Sequence, residues 1–275
     1  MSTTILVTGC SSGIGRHCAI RLRRDGWRVF ATARTPDDIA ELERLGLEAV
    51  RLDYADGQSI RDAFAEVMSR TGGRLDALFN NGAYGQAGAV EDISTQTLRE
   101  QFEANFFGWH ELTQLVVPVM RKQGGGRIVH CSSILGIVPY RWRGAYNASK
   151  HALEALALTQ RMELAGSGVH VSLIEPGPIV SDFSKNGLRH FRQKVDIDGS
   201  VHAQAYRGQL ARLDAPGGVN LFRRNPQAVY KRLKQALTAR RPRAQYAVTI
   251  PTHVMFMMRR ALPYAMLERF LKFWD

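Results

Sequence analysis

The sequence predicts a doubly wound α/β domain with a parallel sheet, on three observations. Short apolar runs rich in β-branched residues alternate with helical segments; the first run ends in a glycine turn that opens a helix; and 275 residues with 45% hydrophobic content, with no linker or low-complexity tract, can enclose one large core. In chain order the expected strands are Thr4–Thr8, Arg28–Thr32, Ala49–Asp53, Leu75–Asn80, Arg127–Cys131 and Val169–Ile174. Helical segments between them supply the crossovers that parallel strands need.

The first strand runs directly into GCSSGIG (Gly9–Gly15) and a helix starting near Ile14. Gly9 permits the tight turn, Gly13 lets the backbone approach a pyrophosphate, and Gly15 allows close helix packing; the free amides and dipole of the helix face the anion. A nucleotide phosphate is expected here. After the second strand, Thr35 reads as an N-cap, Pro36 as a first-turn proline, and Asp37 and Asp38 as acids at the positive end of a helix. A long helix is expected from about Gln96 to Met120, with Asn105 inside it, and another from Tyr146 to Ala165.

That last helix begins with AYNASK, which sets Tyr146 and Lys150 four residues apart and therefore on one face. A phenol of ordinary pKa about 10 transfers protons poorly at neutral pH, and a nearby ammonium favours its ionised form. The pair alone also suits an ordinary helix, with a half-buried ring beside a solvated charge.

TGCSSGIG at Thr8–Gly15, NNGA at Asn80–Ala83, Asn105, Ser132 and Ser133, YNASK at Tyr146–Lys150 and EPGPI at Glu175–Ile179 stand in an order and spacing that resembles the short-chain dehydrogenase/reductase family, over residues 3 to about 181. GCSSGIG, the ATAR segment and the long basic C-terminus most resemble the branch with retinol dehydrogenases, 17β-hydroxysteroid dehydrogenases and bacterial NADP-dependent aldehyde reductases. One departure is NNGA where the family has NNAG, which bears on the local loop under the cofactor.

The resemblance implies a Rossmann-type fold and a nicotinamide cofactor. Gly9, Ser11, Ser12, Gly13, Ile14 and Gly15 would hold its phosphates, Asp53 and Tyr54 would border the adenine, and Asn81 and Gly82 would form the floor. Pro176, Gly177 and Ile179 would fix the nicotinamide end together with Tyr146 and Lys150. It also implies the catalytic set Asn105, Ser133, Tyr146 and Lys150: Tyr146 as acid in reduction and base in oxidation, Lys150 lowering its pKa and holding the ribose, Ser133 bonding the substrate oxygen, and Asn105 holding a water against the lysine. Substrate would thus meet Ser133 and Tyr146, with Tyr84, Gln86, Leu135 and Tyr140 lining its pocket. Cofactor choice is read from the residues themselves. An NAD-preferring site places a carboxylate at the end of the second strand; here Ala33 and Arg34 stand there, and a guanidinium pairs bidentately with a 2′-phosphate. NADP(H) is expected, with Arg16 as a second cation.

The domain is expected to span residues 1–250, with a variable substrate lid at 182–225 and a basic amphipathic helical extension at 251–275. The lid carries six Lys or Arg against four acids from residue 182 to 214 and shows no strong periodicity. An apolar aldehyde, ketone or alcohol is the expected substrate class.

The formal charge is +12, and from Arg223 to Asp275 twelve Lys or Arg stand against two acids. In the segments 254–258 and 262–274, Met, Phe, Leu and Trp interleave with Arg259, Arg260, Arg269 and Lys272. Such a helix can lie on an anionic membrane, or pack over the substrate cleft and leave its arginines in water. A nucleotide-sensing or nucleic-acid-binding protein of the same fold is the alternative function, invited by the basic pI. Neither a recognition helix nor a zinc pattern supports it, and a sensor needs no Ser133, Tyr146 and Lys150. Cys10, Cys18 and Cys131 lack metal or redox spacing and are expected as reduced thiols near the core; no metal is expected. His17 reads as a surface or helix-packing residue. The resemblance further implies a homodimer or homotetramer built on the helices at 96–120 and 146–165. The polar N-terminus shows no signal peptide, so a cytoplasmic location is expected, extending to the inner face of a membrane if the tail binds there.

Overall fold

A computed structural model of the chain describes residues 3–214 and 222–274. All six expected strands are present with ends within two residues of those read from sequence: β1 (Thr4–Val7), β2 (Arg28–Ala33), β3 (Glu48–Arg51), β4 (Ala77–Asn80), β5 (Gly126–Cys131) and β6 (Val169–Glu175). A seventh, β7 (Gln245–Ala247), was not foreseen. Gln-Tyr-Ala is too short to show a period, and only its pairing with β6 defines it.

Every pairing is parallel, in the order β3-β2-β1-β4-β5-β6-β7. All residues of β1 and β4 are buried, as strands covered by helices on both faces must be. Chain direction through the sheet reverses between β1 and β4, and a crevice therefore opens beyond their carboxyl ends.

The helices named next are α1 (Gly13–Arg24), α2 (Pro36–Arg44), α3 (Gly57–Thr71), α4 (Thr95–Phe102), α5 (Gly108–Lys122) and α6 (Gly144–Glu163). The Thr35 hydroxyl accepts from Asp38 N–H at 3.3 Å and Pro36 occupies the first turn, so α2 starts as its sequence dictates. The helix expected as one piece from Gln96 to Met120 is interrupted by a π turn, Glu103–Phe107, where Gly108 N–H bonds Glu103 O. At Gly108 the helix touches the β3 loop: a Cβ there would lie 2.2 Å from Tyr54 O. The widened turn thus sits where the helix is pressed against the sheet end, and Asn105 lies inside it.

The segment expected as a lid is more ordered than its sequence suggested. Its helices α7 (Phe183–Lys194) and α8 (Ala203–Asp214) carry Phe191 and Tyr206 into a small core with Val195 and Ala89, while the expected lid residues 215–221 fall outside the described ones. α9 (Gln227–Thr238) packs on α1, where His17 Nε2 meets Gln227 Oε1 at 2.9 Å, so His17 is a packing residue. The C-terminal segment is two helices, α10 (Ile250–Ala261) and α11 (Tyr264–Trp274), whose Met255 and Leu267 join Ile137 and Val138 in a third cluster. No helix among the described residues is long and apolar enough to cross a membrane.

Candidate active site

At the carboxyl ends of β1 and β4 lies a cleft of about 660 Å³. One half is built by the β1–α1 turn. Gly9 has φ +65° and approaches Gly82 so closely that a Cβ would stand 2.5 Å from Gly82 Cα; a Cβ on Gly15 would stand 2.2 Å from Gly9 O. Only glycine fits either place. Ser12 caps α1 in extended conformation without a side-chain bond to its amides. The first turn thus offers free N–H groups to an anion, which is how a dinucleotide phosphate is held. Ser11, Ser12, Gly13 and Ile14 line the cleft here.

Beneath this turn the floor is one hydrogen-bonded block. Asn81 donates its backbone N–H to Thr8 Oγ1 (2.9 Å) and its Nδ2 to Gly9 O (3.3 Å). The Tyr54 hydroxyl lies 2.6 Å from Asn80 Oδ1 and 2.8 Å from Thr8 Oγ1. Trp109 Nε1 donates to Gly82 O at 2.8 Å. The NNGA order fits this packing: a Cβ on Gly82 would already meet the Tyr54 ring at 3.1 Å. Asp53, Tyr54, Asn81 and Gly82 all line the cleft, although the Tyr54 hydroxyl is committed to the floor. Cys10 is buried, and burial pushes its thiol up to about 12, so it is not a reactive group of the phosphate turn.

Arg34 follows β2, lines the cleft and is exposed. Arg16 is not among the lining residues; it turns to Glu41 at 4.0 Å, so the second cation expected from sequence points elsewhere.

The other half of the cleft gathers Ser133 from the end of β5 and Tyr146 and Lys150 from α6. The Ser133 hydroxyl accepts from Leu135 N–H at 3.1 Å and lines the cleft beside Tyr146. Asn147 Nδ2 donates to Leu135 O and Val138 O, both at 3.0 Å, which ties the Ser133 loop to α6. Lys150 is fully buried; its Nζ donates to Cys131 O at 2.9 Å and lies 4.1 Å from the Trp109 ring centroid and 5.8 Å from that of Tyr146. Trp109 was not foreseen as part of the site, because one tryptophan on a helix carries no local signature.

One expectation is corrected. The ammonium was to lower the Tyr146 pKa, but burial dominates and holds the phenol well above its usual value. Desolvation of a phenolate outweighs a charge whose proton is aimed at Cys131 O. The Asn105 side chain is committed to the Tyr84 peptide: Oδ1 accepts from Tyr84 N–H at 3.3 Å and Nδ2 donates to Tyr84 O at 2.8 Å. Gln101, one turn earlier, does the same work, donating to Tyr84 O (2.9 Å) and accepting from Gln86 N–H (2.7 Å). Gln86 is therefore buried outside the cleft, whereas Tyr84, Leu135 and Tyr140 line it. Pro176, Gly177 and Ile179 also line it, near Phe183, Met255 and Leu271, so the inner faces of α7, α10 and α11 enclose the end where substrate would sit.

Behind Lys150 two further carboxyls are buried, Glu154 on α6 and Glu175 at the end of β6. Glu154 Oε2 accepts from Gln245 Nε2 at 3.0 Å; Glu154 Oε1 and both Glu175 oxygens form no hydrogen bond with a described residue. Burial raises both above the carboxylate range, and the Glu154 charge raises Glu175 further. Since the folded pKa values exceed the unfolded ones, the fold binds more protons between them, and stability falls as pH rises through that interval. Glu175→Gln is expected to raise Tm over the parent by more near pH 8 than near pH 5, measured by thermal melts; an equal gain at both would refute the assignment.

The comparisons with known proteins agree with this geometry. A model of the family described as short chain dehydrogenase matches residues 3–190. An uncharacterized oxidoreductase of Escherichia coli, YbbO, is 38% identical over 272 residues, covering 99% of this chain and 95% of that protein. Human 17-beta-hydroxysteroid dehydrogenase type 1 is 32% identical over 262 residues, covering 90% of this chain and 77% of that protein. The solved structure of actinorhodin polyketide ketoreductase with NADPH superposes with a TM-score of 0.72 at 28% identity, covering 90% of this chain and 95% of that one. A glycine turn shaped for a dinucleotide, a serine–tyrosine–lysine group on one wall and a match along nearly the whole chain converge, and the chain belongs to the short-chain dehydrogenase/reductase family of oxidoreductases.

Proposed function

We propose that the protein interconverts a carbonyl and an alcohol on an apolar substrate with NADP(H), using Tyr146 as the acid and base. The observation that carries this reading is the gathering of buried Ser133, Tyr146 and Lys150 on one wall of the cleft. Gly9, Gly15 and the open amides of α1 fit the cofactor's phosphates, and Arg34 suits a 2′-phosphate. The bound nicotinamide supplies the hydride. The chain's own residues handle the oxygen and its proton: Ser133 Oγ–H and Tyr146 O–H converge on the carbonyl oxygen, and the protonated phenol donates as charge develops there. Lys150 then offsets the phenolate left behind. In oxidation each step reverses. Phe183, Met255 and Leu271 at the substrate end favour an apolar compound.

A screen of NADPH turnover over aldehydes, ketones, steroids and retinoids tests the reaction. Cofactor binding without any turnover would favour the sensing function instead. For cofactor choice, Arg34→Ala is expected to weaken NADP(H) by about 10-fold or more while leaving NAD(H) within about two-fold, since a charge-assisted bidentate pair contributes about 1.5–3 kcal/mol. Kd values by fluorescence titration decide it; an equal effect on both cofactors would place the guanidinium away from the 2′-phosphate. The assembly proposed is a homodimer through α4, the π turn, α5 and α6, a surface that exposes Leu98, Phe107 and Met162. The three buried free cysteines suit a reducing cytoplasm.

A further inference from the structure

We propose that the outer face of α10, with the adjoining ends of α9 and β7, is a docking surface for anionic phospholipid. Away from the cleft, a depression of about 290 Å³ is lined by Arg232, Arg243, His253, Phe256, Met257 and Arg260 together with the residues of β7. Three guanidinium groups converge here, and no Asp or Glu is among its lining residues. Arg232 is anchored by bonds to Ala247 O (3.2 Å) and Gln235 Oε1 (3.0 Å); Arg243 and Arg260 are exposed and form no ion pair with a described residue. Alongside runs an apolar stripe on the same helix. Ile250, Val254 and Met257 recur at i, i+4 and i+7 and are 55%, 39% and 69% exposed. His253, Met257 and Arg260 recur with the same spacing, so the basic and apolar stripes share Met257 and lie side by side.

Charge complementarity selects the occupant. A headgroup phosphate matches the arginine depression, and the acyl region matches the stripe beside it. A second copy of the chain fits poorly, because a two-fold interface would set these arginines against themselves. A phosphodiester backbone would satisfy the arginines but leave Ile250, Val254 and Met257 against charge and water. The opposite face of the same helix contributes Pro251 and Met255 to the cleft, so docking would bring the substrate entrance to the lipid surface, which suits an apolar substrate. Lipid binding and turnover are independent properties, and each can fail alone.

The test is flotation of the full chain with vesicles of phosphatidylcholine alone and of phosphatidylcholine with phosphatidylglycerol. The parent is expected to float only with the anionic vesicles. Arg243→Ala with Arg260→Ala is expected to lower the partition coefficient about 30-fold, from about 1 kcal/mol for each cation near an anionic surface. Val254→Asp with Met257→Asp is expected to abolish flotation with every arginine kept. Neither pair touches the cleft lining, so both variants should keep their melting curves and their NADPH-dependent turnover of a water-soluble aldehyde. No flotation of the parent, or equal flotation of the arginine variant, would overturn the proposal. So would release from vesicles by inorganic phosphate at the concentration that saturates free protein, a change of mass on size exclusion caused by the arginine pair, or tighter binding to a short oligonucleotide than to the vesicles.

Discussion

Tyr146→Phe is expected to lower kcat by about 10²–10⁴-fold in either direction, the range lost when a positioned acid or base is removed. The ring is 6% exposed and packs at 5.3 Å from Phe183, contacts that phenylalanine keeps. What goes is one buried hydroxyl, so stability should change by about 1 kcal/mol or less. Burial holds the phenol protonated across the neutral range, which is the form that reduction needs. The reverse reaction needs the phenolate, so oxidation should gain with rising pH until the group ionises, with the variant lacking that dependence. Single-turnover measurement of NADPH oxidation separates this step from binding: a variant with the parent rate would exclude Tyr146 as the acid, and one with a lost rate but unchanged cofactor Kd would support it.

How much of this was legible in the sequence depended on how local the cause was. Strands β1 to β6 were visible because apolar runs between turn signals encode burial on both faces. The three-residue β7 was invisible because it exists only as a partner of β6. Gly9–Gly15, Ser133, Tyr146 and Lys150 were readable because their chemistry needs fixed residue types at fixed spacing. Trp109 under Lys150 and Gln101 on Tyr84 join residues far apart in the chain, and nothing in their neighbourhood marks them; Asn105 was readable from its place in the motif order, but its bonds to Tyr84 were not. The basic tail was legible as composition, but its two faces were not. Only the packing of Met255 and Leu267 on Ile137 and Val138 shows which side of α10 is turned inward and which is turned outward.

Lys150→Met should separate function from stability in opposite directions. Burial lowers Lys150 to about 8 from an ordinary 10.5, which amounts to about 3 kcal/mol against the charged fold at neutral pH. Methionine fills similar volume without a charge and forfeits one hydrogen bond to Cys131 O, about 1–1.5 kcal/mol. The variant should therefore be more stable near pH 7 by about 1–2 kcal/mol, as replacement of buried charges by apolar groups often is. Because the folded pKa lies below the unfolded one, the parent loses this handicap as pH rises from about 8 to beyond 10.5, and the variant's advantage should vanish and reverse there, since it still lacks the bond to Cys131 O. Activity should fall about 10²–10³-fold in kcat/KM, the usual loss on removing one preorganised electrostatic group. A lower Tm at neutral pH would mean that the ammonium holds the fold together, and an unchanged kcat/KM would take it out of the reaction. A gain in one and a loss in the other is what an ion kept buried for chemistry, at the fold's expense, must give.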